Sequence, residues 1–155
     1  MHTIKRRASI NCKLGDAFEY VADWKNFANY IPMFVKIEPT SLVHYGPGTS
    51  LDMTMMLGTK VVMTTTLDVV DFLKNRHIVM KSHRGIRTKT KWEFKDIGGK
   101  ILTTLDFEYE LPPGLTLREG ELNMLAKDLE DSWAKSLEML KWILESMPPS
   151  ADDDY

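Results

Sequence analysis

Cysteine is nearly missing from this chain. Cys12 stands alone among 155 residues, which excludes an internal disulfide and any multi-thiolate metal site. Nor is there an excess of one charge: 20 basic and 22 acidic residues leave a formal net charge of −2. No global field therefore recruits nucleic acid or an anionic lipid surface. No apolar run approaches the roughly 18–20 residues that a membrane-crossing helix needs, so stable membrane insertion is not expected. The basic start, Met1-His2-Thr3-Ile4-Lys5-Arg6-Arg7, has no apolar stretch behind it of the signal-peptide kind. A reducing, cytoplasmic address is the expectation. Several catalytic signatures are also missing: the Gly-x-Ser-x-Gly elbow, the phosphate-binding glycine loop, His-Glu-x-x-His and the dinucleotide fingerprint. His2, His44, His77 and His83 are scattered and form no His-x3-His pair. Neither a metal nor a cofactor is expected.

What is present is ordinary globular material. Hydrophobic residues make up 43% and charged residues 27%, and the length suits one domain. Residues 1–147 read as that domain. Residues 148–155, with Pro148-Pro149 followed by Asp152-Asp153-Asp154, read as a flexible acidic tail.

The order of elements is legible from periodicity. Thr3 to Ile10 reads as a strand, with Asn11 as a helix cap. Leu14, Phe18, Val21 and Ala22 recur at helical spacing, and Asp23 caps a second short helix holding Trp24, Phe27 and Tyr30, which Pro32 ends. Residues 33 to 111 then read as about six strands, separated at Gly46-Pro47-Gly48, Gly58, Lys74-Asn75, Gly85 and Gly98-Gly99. Turns at hairpin spacing leave little room for crossover helices and predict an antiparallel sheet. After Pro112-Pro113-Gly114, a stripe of Leu122, Leu125, Ala126, Leu129, Trp133, Leu137, Leu140, Ile143 and Leu144 predicts one long helix from about Leu117 to Met147.

Alternation is clearest in the last two strands. Ile86, Thr88, Thr90, Trp92 and Phe94 share one face; Arg87, Lys89, Lys91, Glu93 and Lys95 share the other. In the next strand Ile101, Thr103, Leu105, Phe107, Tyr109 and Leu111 face one way, and Asp106, Glu108 and Glu110 the other. Folding at residues 96–99 sets bases opposite acids on the outer face, which neutralises the basic run 81–95 and argues against nucleic-acid binding. One helix covers so wide a sheet only if the sheet curls around it, and a curled sheet gripping a helix encloses a space. The expected fold class is α+β: a curved antiparallel sheet of six to seven strands wrapped around the C-terminal helix.

At this point the chain resembles a known superfamily. Asp16-Ala17-Phe18-Glu19-Tyr20-Val21-Ala22-Asp23-Trp24, Asn26-Phe27 and Tyr30-Ile31-Pro32 are similar to the START-related polyketide cyclase/dehydrase and lipid-transport proteins of helix-grip fold, nearest their coenzyme Q-binding branch. Trp92-Glu93-Phe94 before Gly98-Gly99 and Thr103, and Tyr109-Glu110-Leu111-Pro112 before the long helix, carry the rest of the resemblance, over about residues 3–146. It implies a deep apolar cavity between sheet and helix. Family members bind lipids, quinones, aromatic polyketides or steroids.

The residues then fall into two groups with two readings each. Met53, Met55, Met63 and Met80 lie in the middle strands, where flexible thioethers either fill core or line an adaptable pocket; the parity of residues 61–69 is ambiguous. Thr88, Thr90 and Thr103 are inward hydroxyls, polar lining or ordinary strand formers. Trp92, Phe94, Phe107 and Tyr109 make an aromatic wall opposite Leu125, Leu129 and Trp133 that is core, pocket or both, with Leu105 as a further candidate lining residue on the same face. No catalytic residue is assigned; His83, near a turn, is an exposed histidine or a rim acid/base. Binding or carriage of a hydrophobic small molecule leads, by a monomer or homodimer. A cyclase/dehydratase-type enzyme using the same cavity, and a protein-interaction module, are the alternatives.

Overall fold

The structure, a computed structural model, describes residues 2–57 and 61–151. Seven strands form one sheet in the order β1-β7-β6-β5-β4-β3-β2. In chain order these are β1 (His2–Ile10), β2 (Phe34–Pro39), β3 (Ser50–Leu57), β4 (Val61–Leu73), β5 (His77–His83), β6 (Arg87–Asp96) and β7 (Ile101–Glu110). Every neighbouring pair is antiparallel. Helix α1 (Leu14–Ala22), a 3₁₀ turn (Trp24–Asn26) and α2 (Phe27–Tyr30) follow β1, and α3 (Glu119–Ser146) closes the chain. This is the expected curled sheet around one long helix, with β1 laid beside β7. Register shifts between Phe34 and Lys36 and between Val69 and Asp71 supply the local bends that bulges bring to a sheet.

The β6–β7 hairpin has the register that the charge pattern implies. Arg87 stands opposite Glu110, Lys89 opposite Glu108 and Lys91 opposite Asp106. In β4 the inward set is Val61, Met63, Thr65 and Leu67, fixed by the cross-strand pairs Leu57–Val61, Met55–Met63, Met53–Thr65 and Leu51–Leu67. The Gly58 turn lies outside the described residues.

Two helix ends depart from expectation. Lys13, not Asn11, is the N-cap of α1 and makes no side-chain cap bond. The Asn11 N–H instead donates to Glu145 Oε2 at 2.9 Å, a partner 134 positions away. That bond, and the Lys141 ammonium beside it at 2.9 Å, hold the Glu145 carboxyl below its ordinary range. The α3 helix begins at Glu119, and the Glu121 side chain accepts from the Arg118 N–H. Its 28 residues span about 42 Å. Leu122 is exposed, so the buried stripe starts one turn later, at Leu125. Asp23 does cap: its side chain accepts from the Lys25 N–H at 3.0 Å. The first tail residues are tied to α1, with the Ser150 N–H donating to Asp16 and the Lys13 ammonium to the Ser150 carbonyl.

The β5–β6 turn brings two backbone segments close together. Gly85 has φ +65°, and a Cβ there would sit 2.7 Å from the Thr64 carbonyl oxygen. Gly85→Ala therefore meets both a left-handed backbone and a backbone clash. We expect a stability loss of about 1–3 kcal/mol in urea denaturation. An unchanged midpoint would mean that the turn is looser than its geometry.

Candidate functional site

The inner face of the sheet collects the residues singled out above. Met53, Met55, Met80, Thr88, Thr90, Trp92, Thr103, Leu105, Phe107 and Tyr109 are all buried, as are Leu125, Leu129 and Trp133 of α3; Met63 is half-buried. Each strand contributes alternate side chains because its other face carries the charges. The stripe of α3 meets them because its apolar residues recur every three or four positions.

Trp133 is the meeting point. Its ring centroid lies 6.2 Å from Trp92 on β6, 5.0 Å from Phe107 on β7 and 6.2 Å from Phe34 on β2. Tyr30, at the end of α2, stands edge-on to Trp92 at 6.1 Å. Phe107 stacks on Tyr109 at 5.9 Å. Tyr30 and Phe34 thus join a wall for which the sequence offered only strand and helix residues. Their visible signal was the Tyr30-Ile31-Pro32 stop, which reads as a chain break and not as lining.

Where β6, β7 and α3 meet, the rings of Trp92, Phe107 and Trp133 stand against one another, with centroids 5.0–6.2 Å from Trp133. A cavity that the described residues do enclose lies elsewhere. It measures about 10 Å³, close to one water, and its lining includes Trp24, Phe27, Thr49, Leu51, Phe72 and Met80. Of the expected ligand residues only Met80 borders it. The β2–β3 loop covers it, held to α1 by the Tyr45 hydroxyl, which donates to Glu19 Oε2 at 2.7 Å, and edge-on to Phe72.

The polar atoms of the interior divide sharply. Ser82 Oγ donates to the Ile86 carbonyl at 3.0 Å, accepts the Thr88 N–H at 2.8 Å and pairs with Thr88 Oγ1 at 2.7 Å. Thr65 Oγ1 reaches the His83 and Arg84 carbonyls. These hydroxyls belong to the β5–β6 turn. By contrast, Tyr30 Oη, Trp92 Nε1, Thr103 Oγ1 and Trp133 Nε1 are buried without a hydrogen-bond partner, and so are Trp24 Nε1 and Thr49 Oγ1 at the small cavity. Burial, with Tyr20 and Asp23 near, pushes the Tyr30 phenol well above its ordinary value. Burial, with Glu130 near, raises Tyr109 as well. Both remain protonated at neutral pH.

His83 is on the outer face, exposed, its Nε2 2.8 Å from Asp68 Oδ2. Asp68 also accepts from Ser50. That places the histidine away from the wall. His77 pairs with Asp71 at 3.0 Å in the same way. No group of three metal-ligating side chains occurs among the described residues.

Cys12 packs against the core. Burial first, then the Asp16 and Glu145 carboxylates, push its thiol up to about 11. At pH 8 this leaves about two hundredfold less thiolate than a free cysteine near 8.5 has. Alkylation by iodoacetamide should be slower than that of glutathione by about that factor, and a rate equal to glutathione would refute the assignment.

The comparisons with known proteins bear on the whole arrangement. The family model described as polyketide cyclase/dehydrase and lipid transport matches residues 1–145. The chain belongs to this family. No curated protein matches it by sequence. Solved structures share the fold at low identity. A Thermus thermophilus protein is 14% identical with a TM-score of 0.76, covering 92% of this chain and 97% of its own. The Zhui aromatase/cyclase from Streptomyces is 17% identical with a TM-score of 0.72, covering 93% of each chain. A START superfamily protein from Mycobacterium smegmatis is 15% identical with a TM-score of 0.71, covering 93% of this chain and 99% of its own. The seven-strand sheet around α3 is thus a START-like, helix-grip architecture. No helix among the described residues is long and apolar enough to cross a membrane.

Proposed function

We propose that this family member binds or carries a hydrophobic small molecule, of lipid, quinone or polyketide type, between β6, β7 and α3. The observation that carries the reading is the chemistry of the buried lining. Among the described residues, every fully buried side chain that is polar and neither aromatic nor sulfur-bearing is a serine or threonine. Acid–base catalysis needs a proton acceptor converging on the reacting atoms, and the interior offers phenols that stay protonated. Binding needs only apolar area, at about 25 cal/mol per Å². The methionines Met53, Met55 and Met80 repack around the guest, since thioethers adapt at little cost.

The quinone option follows the resemblance to the coenzyme Q-binding branch, and a cytoplasmic monomer or homodimer suits a carrier. The cyclase/dehydratase reading draws on the family and on Tyr30, a phenol able to donate a proton inside the wall. The test is titration with Nile red followed by displacement with candidate ligands. Saturable one-to-one binding is expected, weakened by Trp133→Ala or Phe107→Ala. Non-saturable binding would sink the carrier role, and turnover of a polyketide substrate would favour the enzyme.

A further inference from the structure

Folded proteins leave few buried polar atoms unpaired. Here Tyr30, Trp92, Thr103 and Trp133 each leave one unpaired, all in the wall that meets α3. They are not scattered. Trp92 lies 6.1 Å from Tyr30 and 6.2 Å from Trp133 between ring centroids. Thr103 is two residues from Leu105, the cross-strand partner of Trp92, on the same inward face.

Each of the unpaired groups has a hydrogen to give. An indole nitrogen donates and cannot accept. The Tyr30 phenol keeps its proton, so it too has a hydrogen to give. Apart from the unpaired Thr103 hydroxyl, which both donates and accepts, the surroundings are poor in acceptors: among the described residues no Asp, Glu, Asn, Gln or His side chain is fully buried, and Thr65, Ser82 and Ser136 lie on hydrogen bonds to backbone carbonyls. Among the described residues no buried lysine or arginine stands ready to pair an anion either.

We infer that the guest is a flat, neutral molecule bearing carbonyl oxygens, whose acceptors take up the N–H groups of Trp92 and Trp133 and the O–H of Tyr30. This deepens the proposed binding role and rests on it. A purely hydrocarbon guest leaves the donors unpaired. A carboxylate brings acceptors but carries its charge into an interior without a cation, which costs more than the bonds return.

A matched series of probes tests this by equilibrium dialysis: fluorenone with one carbonyl, fluorene with none, and fluorene-9-carboxylate with a charge. Fluorenone is the less hydrophobic of the two neutral probes, so apolar burial does not favour it. We expect it to bind about fivefold tighter than fluorene, the worth of one net hydrogen bond, with the carboxylate weakest. Tyr30→Phe and Trp92→Phe each narrow the fluorenone-to-fluorene ratio. Because the Tyr30 hydroxyl has no partner to lose, Tyr30→Phe should keep the melting temperature, which separates this effect from misfolding. Saturable binding of both neutral probes with equal affinity, or a ratio untouched by both variants, overturns the inference and leaves the carrier role standing. No saturable binding of either neutral probe overturns both.

Discussion

Trp133→Ala should destabilise the protein by about 3–5 kcal/mol, the range for emptying a buried aromatic site, and lower its melting temperature by roughly 10 °C or more. Trp133 is fully buried on the inward stripe of α3 and contacts Phe34, Trp92 and Phe107, which come from β2, β6 and β7. Removing it strips the helix of its shared contact with three strands, and the surrounding rings are too rigid to collapse into the space. Trp133→Phe keeps most of the ring and should cost about 1–2 kcal/mol. Urea denaturation of the two variants checks both. The indole N–H adds nothing to this sum, because it has no partner. A loss below about 1 kcal/mol for Trp133→Ala would mean that α3 does not sit on this wall as described. That result would also remove the basis for a guest site beside it.

The sequence made β6 and β7 legible because polar and apolar residues alternate strictly there, so pattern alone fixes face and register. In β4 both parities carry apolar residues: Val61 and Met63 against Val62. What decides is the partner strand, where Leu51, Met53, Met55 and Leu57 face inward and draw Leu67, Thr65, Met63 and Val61 with them. That information is not local to β4. The same holds for Asn11, a sound cap by its side chain, whose N–H is claimed by Glu145 from the far end of the chain. The membership of the wall was half readable. Strand and helix periodicity pointed to Trp92, Phe107, Tyr109 and Trp133, whereas Tyr30 and Phe34 arrive through a four-residue helix and a bulged edge strand that give no periodic signal. How much space is left beside these rings depends on rotamers, which composition does not set.

The inward hydroxyls, which the sequence left as lining or packing, separate by what they touch, and two substitutions should show it. Ser82→Ala removes the acceptor of the Thr88 N–H, the donor to the Ile86 carbonyl and the partner of Thr88 Oγ1 at once. Buried groups left unpaired cost about 1–3 kcal/mol each. Part of this is recovered by water at the exposed Gly85 turn, so the expected loss is about 2–3 kcal/mol. Thr103→Val replaces a hydroxyl that is equally buried but bonded to nothing by a methyl of nearly the same shape. Its expected effect is neutral to about 1 kcal/mol stabilising, because the desolvation cost of the hydroxyl disappears with no bond lost. Ser82→Ala removes one heavy atom and Thr103→Val none, both on the same sheet face, so contrasting outcomes isolate hydrogen bonding from packing. If Thr103→Val proved as damaging as Ser82→Ala, the Thr103 hydroxyl would have a partner in the resting protein, and that part of the wall would already be satisfied without a guest.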